Sequence, residues 1–72
     1  MQTNEIKIKT EFIKLDQFLK FSGLAETGGH SKEIIAEGIV CVNGEVCLAR
    51  GKKLYNGDIV EVENYRFKVI KE

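Results

Sequence analysis

The sequence lacks an excess of charge of either sign, because its 11 basic and 11 acidic side chains give a formal net charge of zero over 72 residues. This balance excludes a strongly basic nucleic-acid coat and an acidic mimic, although it permits a local basic patch. No apolar run approaches the roughly 18 residues that a membrane-spanning helix needs. No charged segment followed by an apolar one opens the sequence, so we expect a cytoplasmic protein.

Cysteine is also scarce, with Cys41 and Cys47 the two in the chain, whereas small secreted domains depend on several disulfides. Asn43-Gly44 is a strong signal for a two-residue hairpin. Its register places the two cysteines one position apart on opposite faces of the ribbon, because side chains alternate along a strand. We therefore expect both thiols to be reduced and unbridged. With one distant His30, they also lack the paired spacing of a zinc site.

Catalytic signatures are missing as well. His30 has no serine or cysteine nucleophile placed beside it by a local motif. Gly51-Lys52 superficially resembles a phosphate-binding loop, but six residues rather than four separate Gly44 from Gly51. Lys53 also stands where a serine or threonine should bind magnesium. We expect no enzymatic activity and no cofactor.

The helical part of the pattern begins after residue 13. Apolar residues at i, i+3 and i+4 (Leu15, Phe18 and Leu19) predict a core-facing helix over residues 14–22, with Gly23 just past its end. Thr27 is a suitable N-cap for a second helix, whose core residues would be Ile34 and Ile35 and whose end would lie at Gly38.

Gly28 and Gly29 lie in the first turn of this second helix. Each is less favourable there than alanine by roughly 1 kcal/mol. Close approach of another group to the backbone would be a physical reason for such a pair.

The rest of the chain alternates polar and apolar residues, which predicts strands over residues 5–9, 39–42, 45–48, 59–63 and 66–70. The order is strand, helix, helix and four strands. It predicts an α+β fold, with the helices on one face of a small, mainly antiparallel sheet. At 72 residues, we expect one domain spanning residues 1–72.

A basic loop interrupts these strands. Arg50, Lys52 and Lys53 lie in a stretch without acidic residues between Glu45 and Asp58. The N-terminus of the second helix is a further anion-binding element, since its unpaired N–H groups and dipole attract negative charge. We predict that the loop lies near this helix start, so that the two elements bind phosphates together.

Four segments together resemble a known family: Leu15-Asp16-x-Phe18-Leu19-Lys20, Gly23-Leu24-Ala25, Lys32-x-Ile34-Ile35-x-Glu37-Gly38-x-Val40-x-Val42-Asn43-Gly44-Glu45, and Gly57-Asp58-x-Val60. This is the S4 RNA-binding domain, named for ribosomal small-subunit protein four, and the likeness covers about residues 13–62. The turn at Thr27-Gly28-Gly29 and the segment Arg50–Leu54 are similar to the small stand-alone bacterial YaaA/YbcJ-like proteins.

The resemblance implies an αL motif, in which two helices and a β-hairpin lie against structured RNA. By position it implies RNA contacts from Lys14, Thr27, Gly28, Gly29, Lys32, Asn43, Arg50, Lys52 and Lys53. His30 is adjacent to this set. Many family members carry an arginine in place of Gly28, so only the backbone would contribute there. For Asn43 the stronger interpretation is a turn residue that tolerates positive φ.

We therefore expect a monomeric, non-catalytic module that binds ribosomal or tRNA-like RNA through phosphate and shape contacts, with an association to the ribosome. The interleaved aromatic and basic residues of single-strand binders are not visible, and Tyr55 is expected to be a partly buried residue at a sheet edge. The alternative is a protein-interaction adaptor of the same fold, with Phe12 and Phe21 as exposed apolar anchors.

Overall fold

The computed structural model describes residues 3–72, which form seven strands and two helices. Their bounds are β1 Thr3–Ile8, β2 Ile13–Lys14, α1 Leu15–Phe21, α2 Gly28–Ala36, β3 Val40–Val42, β4 Glu45–Val46, β5 Lys53–Leu54, β6 Ile59–Val62 and β7 Tyr65–Lys71. Neither helix is long and apolar enough to cross a membrane, as far as the described residues extend.

Five of the strands form one sheet in the order β1-β7-β6-β3-β4. All neighbours are antiparallel except β1 and β7, which run parallel with Thr3 opposite Arg66 and Ile8 opposite Lys71. This confirms the α+β fold with a mainly antiparallel sheet. Local patterns did not predict the parallel pair, because the choice of strand partner depends on residues far apart in the chain.

The core lies between the two helices and the sheet. Leu15, Phe18 and Leu19 are fully buried, as predicted, and Phe18 meets Phe67 of β7 edge to face with ring centroids 6.0 Å apart. Ile35 is buried as well, whereas its neighbour Ile34 is only half-buried and packs at the margin of the core.

The predicted caps and turns are present. Thr27 Oγ1 accepts a hydrogen bond from His30 N–H at 3.0 Å and so caps α2. Gly23 and Gly38 follow the two helices with φ of +90° and +76°, a conformation that favours glycine.

The Asn43-Gly44 hairpin has the predicted register, with Cys41 opposite Val46, although β4 ends two residues earlier than expected. Cys47 N–H still donates to Val40 C=O at 2.9 Å. Both cysteines are free, which confirms the prediction that they are unbridged.

Candidate nucleic-acid interface

The basic loop lies against the start of α1. Leu15 N–H donates to the carbonyl of Lys52 at 2.8 Å, and Asp16 N–H donates to that of Arg50 at 3.1 Å. The first N–H groups of a helix have no acceptor within the helix, so these carbonyls satisfy them. The loop backbone is therefore fixed, while the side chains of Arg50, Lys52 and Lys53 stay exposed.

The backbone of Asp16 also connects the loop to α2. Its carbonyl accepts a hydrogen bond at 2.9 Å from Ser31 Oγ, a hydroxyl group that is completely buried. The loop and the first turns of α2 thus flank the same residue of α1. The sequence did not predict a role for Ser31, because a serine in a polar helical turn carries no signal that it is buried.

A short antiparallel ribbon of β2 and β5 extends from the loop, and the sequence did not predict it. Ile13 pairs with Leu54, and Lys14 pairs with Lys53. Leu54 is fully buried, whereas both lysines are exposed. Like charges directly opposite each other in a sheet are destabilising.

No carboxylate neutralises these cations within residues 3–72. The ion pairs found there join Arg66 to Glu61 at 3.4 Å and Lys71 to Glu11 at 3.1 Å. The five basic residues of the predicted site, which are Lys14, Lys32, Arg50, Lys52 and Lys53, take part in neither pair. The ribbon and the loop together therefore present basic side chains that form no ion pair with the described residues.

The outer face of the ribbon also carries two aromatic rings. Phe12 and Tyr55 are one residue beyond the Ile13–Leu54 pair, and their ring centroids are 5.9 Å apart. The ammonium group of Lys53 lies 4.8 Å from the centroid of the Phe12 ring, a cation–π contact. Tyr55 is 45% exposed, so its side chain is more accessible to solvent than the partly buried position that the sequence predicted.

The sequence interpretation found no set of several interleaved aromatic and basic residues, and the structure brings two aromatic rings and two lysines together here. Phe12-x-Lys14 and Lys53-x-Tyr55 place an aromatic and a lysine on the same face of each strand, because side chains alternate. Two-residue strands are too short for this alternation to be recognised in the sequence.

The first turn of α2 is open to solvent. Among residues 3–72, a Cβ atom built on Gly28 would meet nothing within 4 Å, and one built on Gly29 would meet only Thr27 Oγ1 at 3.8 Å. Neither glycine has a positive φ, and the same holds for Gly51 in the basic loop. Neither backbone conformation nor crowding within the protein therefore requires glycine at these three positions.

The exposed part of α2 has two distinct faces. Lys32 lies four residues after Gly28 and shares its face. His30, Glu33 and Glu37 lie on another face, where they line a groove of about 300 Å³ with Glu63 and Tyr65. His30 Nδ1 accepts a hydrogen bond from Glu26 N–H at 3.2 Å. The structure thus separates His30 from Lys32.

Asn43 has a structural role at the hairpin turn. It has a φ of +52°, its side-chain oxygen accepts a hydrogen bond from Ile59 N–H at 2.9 Å, and its amide group donates to Asp58 Oδ1 at 3.1 Å. It also lines a shallow depression together with Lys52, so it lies beside the basic loop. An RNA contact from Asn43 stays a prediction.

The chain is similar to a known domain family and to a known bacterial protein. The family model of the S4 domain matches residues 6–70, a range that includes both helices, the ribbon and the basic loop. A curated relative from Bacillus subtilis (strain 168), the probable ribosome maturation protein RlbA, is 47% identical over 62 residues. These residues are 86% of this chain and 87% of that protein.

Proposed function

Because this chain belongs to the S4 domain family, we propose that it is a non-catalytic protein that docks on structured RNA through phosphate and shape contacts. The observation that carries the proposal is the opposed pair Lys14 and Lys53, which adds Lys14 to the basic loop and has no ion-pair partner in residues 3–72. A phosphate bound between the two lysines would attract both ammonium groups and so outweigh the repulsion between them.

The first turn of α2 would be the second anchor. The N–H groups of Gly28 and Gly29 precede the first intrahelical bonds of α2, so they are free to donate to phosphate oxygens. The absence of a neighbour around Gly28 supports close approach of the RNA backbone. Lys32, on the same face, would add a charge contact.

Ribosomal RNA is the target that we propose, since the relative from Bacillus subtilis is a probable ribosome maturation protein. A tRNA-like RNA is the other class to compare. A protein that binds ribosomal RNA acts where ribosomes are assembled, so we propose that this one is cytoplasmic. We also propose that it is a single-domain monomer. Its net charge of zero means that attraction depends on the local patch rather than on the whole molecule.

One observation favours the adaptor alternative. Phe21 is 64% exposed and borders an apolar depression with Ile8 and Ile13. Phe12, the other proposed anchor, is half-buried and packs against Tyr55, so it is not a free apolar anchor. We therefore retain protein binding through Phe21 as the second candidate.

The test is crosslinking in bacterial cells, followed by sequencing of the attached RNA and mass spectrometry of the attached peptides. We expect ribosomal RNA sequences, with crosslinks in the segment 50–55 and the first turn of α2. Recovery of transfer RNA would change the target class. A lack of RNA crosslinks, together with a protein partner lost in Phe21→Ser, would favour the adaptor function.

A further inference from the structure

The outer face of the β2–β5 ribbon combines two kinds of contact in one small area. Lys14 and Lys53 form one cross-strand pair, and Phe12 and Tyr55 form the next. Residues two apart on a strand are separated by about 7 Å. The base and the phosphate of a single nucleotide can therefore contact the aromatic pair and the lysine pair at the same time.

Tyr55 is held in place before any ligand binds. Its backbone N–H donates to Asp58 Oδ2 at 2.8 Å, and its carbonyl accepts from Asp58 N–H at 3.0 Å. Phe12 supports the ring from one side, and Lys53 in turn lies over Phe12. A preorganised aromatic ring next to cations is the arrangement on which nucleic-acid bases stack.

We infer that this ribbon binds one unpaired nucleotide, with its base stacked on Tyr55 and its phosphate between Lys14 and Lys53. Bases within a duplex are covered on both faces by their neighbours, so only an unstacked base can use the ring. The inference rests on the proposed function and narrows it. The RNA that this protein recognises has a bulged or looped-out nucleotide beside a helix.

Tyr65 offers a matched comparison within the same chain. It is 55% exposed and stacks on Phe67 with ring centroids 6.5 Å apart. Its groove is lined by Glu33, Glu37 and Glu63, whose charges repel a phosphate. An exposed tyrosine alone is therefore not a base-binding site, and Tyr65→Ala is the control for Tyr55→Ala.

The experiment uses two RNA hairpins at low salt, one with a single unpaired 2-aminopurine in its stem and one fully paired. We expect the wild-type protein to bind the bulged hairpin more tightly and to quench the 2-aminopurine fluorescence. Tyr55→Ala should abolish the quenching and weaken binding of the bulged hairpin by roughly 5- to 150-fold. Tyr55→Phe should retain both properties, and Tyr65→Ala should change neither.

The outcomes separate the two proposals. If the protein binds both hairpins equally and Tyr55→Ala changes nothing, the stacking inference is wrong and the RNA-binding function stands. Equal weakening of both hairpins by Tyr55→Ala, or weakening by Tyr55→Phe as well, would indicate a structural role and also overturn the inference. If neither hairpin binds at low salt, the proposed function fails, and the inference falls with it.

Discussion

Two surface regions of this protein differ in charge although each presents a tyrosine. We call the β2–β5 ribbon the basic ribbon, and the groove lined by Glu33, Glu37 and Glu63 the acidic groove. Each contains one exposed tyrosine, Tyr55 in the ribbon and Tyr65 in the groove. Tyr55 has the Lys14–Lys53 pair next to it, with the Asp58 carboxylate bound to its backbone, whereas three glutamates line the groove of Tyr65. The net charge of zero is thus a sum over surfaces of opposite sign, and it conceals where a polyanion can bind.

Helix α2 itself carries charges of both signs on different faces. Lys32 lies on the same face as Gly28, which we propose contacts RNA, whereas Glu33 and Glu37 line the groove. Electrostatic attraction on one side and repulsion on the other favour a single orientation on RNA. Four predictions test the difference in charge between the basic ribbon and the acidic groove, from the largest expected effect to the smallest.

Reversing the charge of the lysine pair should give the largest effect. The double variant Lys14→Glu with Lys53→Glu replaces one like-charged pair by another and removes the cation–π contact of Lys53 with Phe12, so we expect the free energy of unfolding to fall by no more than about 1 kcal/mol. RNA affinity should fall roughly 100-fold or more, because repulsion replaces two phosphate contacts. Fluorescence anisotropy measures the affinity, and denaturant unfolding measures the stability.

A groove variant, Glu33→Gln with Glu37→Gln, should bind RNA no less tightly than wild type. A loss of RNA affinity in this variant would contradict the difference between the two regions.

Neutralising the basic loop should lower the salt dependence of binding. Each phosphate contact contributes roughly 0.7–0.9 to the slope of log affinity against log salt, so Lys52→Ala with Lys53→Ala should reduce that slope by about 1.5. The reduction should be similar for every structured RNA, since phosphates carry no sequence information. Lys32→Ala should lower the slope by the contribution of one phosphate contact.

The control is Lys20→Ala, which removes an exposed lysine of α1 that lies outside the predicted site. An unchanged slope in the loop variant would show that these lysines do not contact phosphate.

The variant Gly28→Ala separates stability from binding. The added methyl group meets no atom of residues 3–72 within 4 Å and improves helix propensity, so the free energy of unfolding should rise by up to about 1 kcal/mol. RNA affinity should nevertheless fall, because the methyl group occupies space that the RNA backbone needs. Chemical denaturation and anisotropy on the same sample give both values. A more stable variant with unchanged affinity would show that RNA does not approach this turn closely.

The smallest expected effect is on the stability of the ribbon itself. Lys14→Glu alone creates an opposite-charged cross-strand pair with Lys53 and leaves the contact of Lys53 with Phe12 in place. Stability should increase by roughly 0.2–1 kcal/mol. RNA affinity should decrease, and low salt should enlarge both changes. A loss of stability in thermal or urea unfolding would mean that the two lysines do not repel each other in the wild-type protein.

The sequence predicted those elements that depend on local chemistry. The period of Leu15, Phe18 and Leu19 located α1, and Asn43-Gly44 located the hairpin and its register. The stretch without acidic residues located the basic loop, and the family resemblance added Lys14. Which of these residues lie side by side could not be predicted, since the pairing of Lys14 with Lys53 joins segments 39 positions apart through strands of two residues each. Ser31 was missed for a related reason: its partner, the carbonyl of Asp16, lies on another helix.

The parallel pairing of β1 with β7 has a consequence for the order in which the protein folds. Within the described chain, β1 leaves the ribosome first and β7 last, yet β7 is the one neighbour of β1 in the sheet. The helical pair and the Asn43-Gly44 hairpin involve shorter separations and can form while synthesis continues. Closure of the sheet must wait for residues 65–71, and the entropy lost in joining such distant segments slows this step. Until then, Ile6 and Ile8 of the nascent chain lack the strand that covers them, so the last step of folding also removes their apolar surface from solvent.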